Sequence, residues 1–254
     1  MSGHSEVPPP SDVIASTTAQ SQDNLSSTVP YAASVVTEIS RDIFTAPDGS
    51  ALIHACNCKG VWGAGIASEF RDQYPAAYEI YRSHCQQHAE NRQTYLIMDI
   101  DSHSENNTVE VRRPLGTALI ILPQQSDMTI HGRRHWIVCL FTSHGYGRHA
   151  MSREMILNAT WSALHDMQRK VYQINQHDGP GGQIQGLHAC RFNSGLFGVP
   201  WARTRRLIDQ MSIRMVVHAP GRMAYASRRG VCGSMRGGVR RGRRGRRGQS
   251  TGHN

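Results

Sequence analysis

The sequence feature that most constrains the fold is the stretch at residues 51–67, ALIHACNCKGVWGAGIA. It begins with an apolar run that predicts a buried strand, continues through a polar cluster and a glycine-rich turn, and leads to a predicted helix near Ile66. Glycine permits the positive φ angles and the close backbone approach that such a turn needs. Free N–H groups and the positive end of the helix dipole favour an anion there. The stretch therefore predicts an anion site, although a strand-to-helix turn without a ligand has the same pattern.

A second turn of this kind, NSGLFGVPW at residues 193–201, follows another apolar segment and opens another predicted helix. Turns that follow parallel strands meet at the carboxyl edge of their sheet. The two turns therefore predict two walls of one phosphate-binding cleft. A third glycine-bearing loop at residues 142–148 carries His144 and Tyr146, whose approach to the cleft stays open.

The order of the predicted elements is that of an α/β fold. Strands are predicted near Val35 and at residues 51–56, 117–122, 135–141, 184–192 and 214–218, and helices at residues 64–84 with a break at Pro75, 152–169 and 201–211. Strands that alternate with helices predict a mixed β-sheet sandwiched between helices. The polar segment 89–113 is interpreted as a loop insertion with a short strand at 94–98, and residues 124–134 as a turn.

Composition divides the chain into a body and two tails. Residues 1–30 are rich in Ser, Thr, Pro and Gln, and we predict that they are disordered because they have little apolar surface to bury. The net charge of +9 comes from residues 228–254, which hold nine arginines and no acid, so the charges of the remaining chain balance. We predict one domain at residues 31–221 and a disordered Arg/Gly-rich tail at 222–254. Such a tail favours non-specific RNA contact, with a solvated extension as the alternative.

The cysteines indicate a reduced intracellular protein, because the six of them lack the spacing of a disulfide framework. Cys56 and Cys58 beside His54 have metal-ligand chemistry, but no second ligand pair is evident, so neither a metal nor a cofactor is expected. No apolar run approaches the roughly 20 residues of a membrane span, and the N-terminus lacks a signal-peptide pattern. We expect a monomer in the cytoplasm or nucleus.

Four segments of the sequence, HACNCKGVWGAGIASEF, LGTALIILP, WIVCLFTSHGYGR and FNSGLFGVPW, occur in an order that resembles the macrodomain family. The resemblance covers about residues 34–220 and is strongest to the fungal ADP-ribose 1″-phosphate phosphatases. It implies a mixed sheet between helices that binds ADP-ribose across its carboxyl edge. It also implies metal-independent hydrolysis of ADP-ribose 1″-phosphate, in that family a by-product of tRNA splicing, to ADP-ribose.

The resemblance further implies roles for individual residues. Asp42 and Ile43 would recognise the adenine, although Arg41 stands where the family often has glycine, and Asp42 has the alternative role of capping a turn. Asn57 would bond the hydroxyls of the distal ribose, and backbone N–H groups of the second turn would hold the diphosphate. The implied substrate-binding set is Asp42, Ile43, Ala55, Cys56, Asn57, Trp62, Gly63, Ala64, Gly65, Ile66, Ala67, Asn193, Ser194, Gly195, Leu196, Phe197 and Gly198.

Aromatic residues near the turns have two interpretations. Trp62 and Trp201 are predicted to be packing anchors rather than stacking platforms for a ligand. Phe197 belongs either to the core or to a lid over the ribose.

His54 and Asn57 are the catalytic candidates. Hydrolysis of a phosphomonoester needs a proton donor or base, and His54 lies at a strand end beside the first glycine turn. Strict alternation places His54 and Asn57 on opposite faces of that strand, so both reach one ligand only if the strand ends or twists by Cys56. Otherwise His54 braces the turn from behind.

Two other functions stay open from the sequence. A non-catalytic ADP-ribose reader would have the same cleft. A macrodomain that removes ADP-ribosyl groups from proteins often uses a lysine or an aspartate; Lys59 lies beside the first turn, but no acid follows the glycines of the second.

Overall fold

The structure of the protein, a computed structural model, describes residues 35–100 and 107–219. The predicted tails at 1–30 and 222–254, with their predicted disorder and RNA contact, lie outside the described residues. Within the described part, no helix has both the length and the apolar character that a bilayer span requires.

Strands and helices alternate along the described chain. The strands are β1 (Val36–Ile39), β2 (Ala51–Asn57), β3 (Thr94–Met98), β4 (Thr108–Arg112), β5 (Ala118–Ile121), β6 (Trp136–Ser143), β7 (Leu187–Cys190) and β8 (Met215–His218). The α-helices are α1 (Ile66–Gln73), α2 (Pro75–Asn91), α3 (Gln125–His131), α4 (Arg153–Gln176) and α5 (Trp201–Gln210). Short 3-10 turns lie at Ile43–Thr45 and Gly147–His149.

The central sheet has six strands in the order β1-β8-β7-β2-β6-β5. Its neighbouring strands run parallel except β5, which is antiparallel to β6. The central strand β2 pairs with β7 only as far as Ile53, whereas its pairing with β6 continues to Asn57. The sheet is therefore open between the carboxyl ends of β2 and β7.

The alternation of side chains along β2 divides the core into two layers. Ala51 and Ile53 pack with residues of α4 and α5 on one face, whereas Leu52 and Cys56 pack with residues of α1 and α2 on the other. The mixed sheet between helices that the sequence predicts is confirmed.

Local signals in the sequence place several helix starts correctly. The side chain of Ser152 accepts a hydrogen bond from the Met155 N–H at the start of α4, as an N-cap does. Pro75 is the first residue of α2, and Pro200 immediately precedes α5. Proline is tolerated there because its missing N–H has no helical partner in the first turn.

The interpretation of residues 89–113 as a loop insertion with a short strand is correct only in part. The short strand predicted at 94–98 is confirmed as β3, but the end of a helix and a second strand lie where loop was expected. Helix α2 continues to Asn91, and β3 and β4 pair as an antiparallel two-stranded sheet, with Thr94 opposite Arg112. The buried side chains of Ile97 and Val111 pack against Ala159 of α4 and stabilise this hairpin.

The interpretation of residues 124–134 as a turn is also wrong, because α3 lies there. The carboxylate of Asp127 on α3 accepts hydrogen bonds from the Ala76 and Ala77 N–H groups, at 2.9 and 3.1 Å, in the first turn of α2. The helix thus supplies a cap to its neighbour.

Candidate active site

Two glycine turns lie at the carboxyl edge of the sheet. The turn after β2, at residues 60–65, is called the β2 turn below, and the turn after β7, at residues 193–198, the β7 turn. Because β2 and β7 are parallel neighbours, the two turns leave the sheet side by side, at the place where strand pairing stops. A ligand site at such an edge is the usual arrangement of open α/β sheets.

Asn57 fixes the start of the β2 turn. Its Oδ1 accepts a hydrogen bond from the Lys59 N–H at 2.8 Å, and its Nδ2 donates to the Val61 carbonyl at 2.6 Å. The hydroxyl of Tyr81 on α2 donates to the Asn57 carbonyl at 2.7 Å. Asn57 is 6% exposed, so its side chain is turned into the protein and holds the turn closed. Its contact with a sugar hydroxyl stays a prediction.

The tip of the β2 turn presents free backbone to solvent. Gly63, Ala64 and Gly65 are exposed, and their N–H groups make no hydrogen bond within the described residues. Gly65 is the N-cap of α1, with a φ of 62° and no side-chain cap, and Ile66 and Ala67 behind it are half-buried. The first N–H groups of α1 are therefore available to an anion.

Trp62 anchors the β2 turn in the core. The indole is fully buried, stacks on Tyr81 with ring centroids 4.9 Å apart, and donates from Nε1 to the Cys56 sulfur at 3.4 Å. The prediction that Trp62 is a packing anchor is confirmed, and only its backbone can take part in binding at the turn. Ala55, on the opposite face of β2 from Cys56, is half-buried against the layer of α4.

His54 lies in the layer of α1 and α2. Its ring is fully buried, stacks on Phe70 of α1 with centroids 4.1 Å apart and an interplanar angle of 8°, and meets Trp62 edge-on at 4.8 Å. Both ring nitrogens lie 3.5–3.7 Å from the Cys56 sulfur. Of the two roles that the sequence leaves open for His54, this geometry favours the brace behind the turn.

His54, Cys56 and Cys139 form a buried polar cluster whose ligand atoms lie within 4.8 Å of one another. The sequence pairs Cys56 with Cys58, but Cys58, which packs between the layer of α1 and α2 and the β3–β4 hairpin, is not part of this cluster. Burial raises the pKa of the Cys56 thiol well above its usual range, with a further contribution from Cys139. A protonated thiol that accepts from Trp62 fits a hydrogen-bonded core.

The β7 turn is fixed by Asn193. This residue is 3% exposed and has a φ of 65°. Its Oδ1 accepts from the Thr142 hydroxyl at 2.8 Å, and its Nδ2 donates to the Thr160 hydroxyl at 2.9 Å. The Val199 N–H closes the turn by donating to the Asn193 carbonyl at 3.0 Å. The side chain of Asn193 thus ties the turn to β6 and α4 instead of facing a ligand.

The tip of the β7 turn resembles the tip of the β2 turn. Ser194, Gly195 and Leu196 are exposed, and the N–H groups of Gly195, Leu196 and Phe197 make no hydrogen bond within the described residues. Phe197 is half-buried and packs against the layer of α4 and α5, while Gly198 has a φ of 68°. Each turn therefore offers three adjacent free N–H groups to an anion.

Asp42 lies at the same edge, in the turn that follows β1. Its Oδ1 accepts from the Phe44 N–H at 3.1 Å, which confirms its predicted alternative role as a cap. Its carbonyl accepts from the Thr45 hydroxyl at 2.7 Å. Asp42 is exposed, whereas Ile43 is 3% exposed and packs in the layer of α1 and α2. Adenine recognition by these two residues stays a prediction.

The sequence gives no sign of the residues that hold the turns from a distance. Thr142 and Thr160 are 51 and 33 positions from Asn193, and Tyr81 is 24 positions from Asn57. Glu38 of β1 also bonds residues on both sides of the β7 turn. No local pattern marks these contacts, because they depend on which strands and helices are neighbours.

Comparisons with known proteins give close relatives and more distant structures. No protein-family model matches the sequence. The ADP-ribose 1″-phosphate phosphatase of Aspergillus fumigatus is 45% identical over 194 residues, which cover 75% of this chain and 97% of that protein. The protein of the same name from Aspergillus clavatus is 46% identical over 188 residues, which cover 73% of this chain and 94% of that one. The macrodomain of Mycobacterium tuberculosis DarG has a TM-score of 0.49 and 18% identity, and covers 73% of this chain and 97% of its own.

Proposed function

Because this chain belongs to the family of the fungal ADP-ribose 1″-phosphate phosphatases, we propose that it hydrolyses ADP-ribose 1″-phosphate to ADP-ribose and inorganic phosphate. The observation that carries the proposal is the 45% identity that extends over 75% of the chain. The geometry of the carboxyl edge agrees with it, since two turns with free N–H groups suit a ligand that carries several phosphates.

In this proposal the substrate lies across the carboxyl edge between the two turns. The free N–H groups of the β7 turn bind the diphosphate, and those of the β2 turn, at the N-terminus of α1, bind phosphate at the distal ribose. The adenine lies toward Asp42. Fixed N–H dipoles stabilise phosphate charge without reorganising, which is how a site without a metal can favour a phosphoryl-transfer transition state.

The reaction breaks the bond between phosphorus and the oxygen on C1″. Water supplies the new oxygen of inorganic phosphate, and a proton passes to the departing sugar oxygen, so that ADP-ribose leaves with a free hydroxyl. His54 is the sequence-based candidate for moving that proton. Its buried stack on Phe70 supports a different role, in which it positions α1 and the N–H groups at the helix N-terminus.

The direct test of the proposal is release of phosphate from ADP-ribose 1″-phosphate by the full chain. It is measured beside binding of ADP-ribose by calorimetry. Release with multiple turnovers is the expected result. Binding of ADP-ribose without release would contradict the phosphatase proposal and would instead indicate an ADP-ribose reader.

A pair of His54 variants separates positioning from proton transfer. His54→Phe keeps an aromatic ring against Phe70, so the positioning role predicts that turnover falls by less than about 10-fold, a loss well below that expected for a general acid or base. His54→Ala leaves a cavity beneath α1 and should weaken both stability and turnover. Loss of turnover by about 100-fold or more in both variants, with ADP-ribose binding intact, would return His54 to the role of proton carrier.

A further inference from the structure

Glu38 of β1 is connected through its one carboxylate to two other parts of the structure, the end of β7 and helix α5. Its Oε2 accepts hydrogen bonds from Arg191 Nε at 3.0 Å and Nη2 at 2.6 Å. Its Oε1 accepts from Trp201 Nε1 at 3.0 Å and Arg205 Nη1 at 2.7 Å. Both oxygens of the carboxylate are therefore used by donors from outside β1.

The donors flank the β7 turn on both sides. Arg191 follows the last residue of β7, and Trp201 is the first residue of α5. The Arg191 carbonyl in addition accepts from the Ser194 N–H, at 3.4 Å, and from the Ser194 hydroxyl. Glu38 thus holds the two ends of the turn together, with a backbone connection through Arg191 into the turn itself.

The environment of Glu38 strengthens this contact. Its side chain is 22% exposed, so the ion pairs with Arg191 and Arg205 are less screened than pairs on the open surface. Burial alone would raise the pKa of Glu38, but hydrogen bonds from Trp201 and Arg191 together with the arginine charges lower it. The carboxylate therefore stays charged at neutral pH.

A second ion pair on α5 provides a contrast. Glu154 of α4 lies 3.3 Å from Arg203, and the two side chains are 55% and 41% exposed. This pair also reaches α5, but among the described residues the carboxylate of Glu154 accepts its side-chain hydrogen bond from Arg203 rather than from Arg191 or Trp201. It serves as a matched control for the loss of one carboxylate beside α5.

We propose that Glu38 is a positioning residue that fixes the β7 turn in the arrangement in which its free N–H groups bind the substrate's diphosphate. The inference rests on the proposed function, because it takes ADP-ribose as the ligand. Its physical basis is preorganisation: a turn that is already ordered loses less conformational entropy when it binds a ligand. Glu38 then acts on binding through Arg191 and Trp201, without touching substrate itself.

The experiment compares Glu38→Gln with Glu154→Gln in the full chain. Glu38→Gln should raise the Kd for ADP-ribose and the KM for ADP-ribose 1″-phosphate by about 10-fold or more, the factor that corresponds to one lost charge-assisted hydrogen bond. Its kcat should change by less than about threefold, since the lost interaction serves bound substrate and transition state equally. Glu154→Gln should leave both constants within about twofold of the parent protein.

Arg191→Gln is a second variant, which removes one end of the contact and leaves Glu38 paired with Arg205 and Trp201. Like Glu38→Gln, it should raise the Kd for ADP-ribose. The double variant Glu38→Gln/Arg191→Gln should be weakened by less than the product of the two single effects, because both changes break one network.

Several results would overturn the inference. One is a Glu38→Gln protein of lowered unfolding free energy whose Kd for ADP-ribose is unchanged, since Glu38 would then be structural only. Another is tighter binding of ADP-ribose, which would mean that Glu38 withholds Arg191 from the ligand. A parent protein that binds ADP-ribose but releases no phosphate contradicts the proposed function alone, because the calorimetric comparison still decides the role of Glu38. A parent protein that does not bind ADP-ribose overturns both.

Discussion

Replacing Asn193 with alanine tests whether the β7 turn is fixed from inside the protein. The change removes the acceptor of the Thr142 hydroxyl and the donor to the Thr160 hydroxyl, at 2.8 and 2.9 Å. Thr160 keeps a partner, because its hydroxyl also donates to the Ile156 carbonyl at 2.6 Å. Thr142 is fully buried, and its hydroxyl has no other hydrogen-bond partner among the described residues, so the substitution leaves one buried hydroxyl unpaired.

The expected loss of stability follows from two effects. A buried polar group that loses its partner costs about 1–3 kcal/mol. The φ of 65° at position 193 adds about 1–2 kcal/mol for alanine, since its Cβ is strained in the left-handed region that asparagine tolerates. We therefore expect Asn193→Ala to lower the free energy of unfolding by about 2–5 kcal/mol, measured by urea denaturation.

A second substitution sharpens this prediction. Thr142→Val removes the stranded hydroxyl with little change of shape, so in the Asn193→Ala protein it should restore about 1 kcal/mol. Ser194→Ala, at the exposed next position, is the control and should change stability by less than about 1 kcal/mol. If Asn193→Ala costs as little as the control, or if adding Thr142→Val lowers the stability further, the proposed role of this buried network is wrong.

Two further predictions concern pH and the support of the β2 turn. Burial, with the neighbouring His218 as a second cause, lowers the pKa of His188 from 6.5 to about 4. As the pH falls, the unfolded chain therefore binds this proton before the folded protein does. The stability contributed by neutral His188 should be complete above pH 6.5 and lost as the pH falls toward 4. In His188→Gln the urea midpoint should depend less steeply on pH in this range, and an unchanged slope would contradict the assignment. Tyr81→Phe removes the hydroxyl that donates to the Asn57 carbonyl at 2.7 Å and should cost about 1–2 kcal/mol in urea denaturation. Tyr78→Phe, whose lost hydrogen bond is 3.3 Å long, should cost less, and the reverse order would refute the role of Tyr81.

The parts of the fold that sequence reasoning located are those with strong local patterns. The apolar run before the β2 turn is β2, the residue after Gly65 begins α1, and the segment that starts with Trp201 is α5. Each combines an apolar segment with a glycine or proline whose conformational preference acts within a few residues. The resemblance to the fungal ADP-ribose 1″-phosphate phosphatases is likewise confirmed by relatives more than 40% identical.

The parts that it misplaced depend on distant neighbours. Strand β3 matches the short strand predicted at 94–98, but the sequence does not predict β4, because it has only five residues and exposes Thr108, Glu110 and Arg112, so its pattern is short and mostly polar. What stabilises them is the packing of Ile97 and Val111 against α4. Helix α3 is similarly polar, and its Asp127 is buried because it caps α2. No local propensity reports such contacts.

Strand β2 shows both a feature that side-chain alternation predicts, the position of His54, and one that it does not, the environment of Asn57. Alternation correctly predicts that His54 shares a face of β2 with Leu52 and Cys56 and therefore packs toward α1. It does not predict the register shift between Cys56 and Asn57, where β2 pairs with β6. The shift arises because β6 has one more residue than β2 at this place, so it depends on the partner strand and not on the local sequence of β2.

The two turns are built in the same way: buried side chains fix each turn, and backbone N–H groups at its exposed tip make no hydrogen bond within the described residues. Asn57 and Asn193 direct their side chains inward, while the exposed tips consist of residues such as Gly63, Gly65 and Gly195. A serine or aspartate as N-cap of α1 would stabilise that helix by about 1 kcal/mol, yet its oxygen would occupy the N–H groups of the first turn. It would also be strained at the φ of 62° that Gly65 adopts. Helix α1 therefore lacks the stability that a side-chain cap would add, and in return its first N–H groups remain available to an anion.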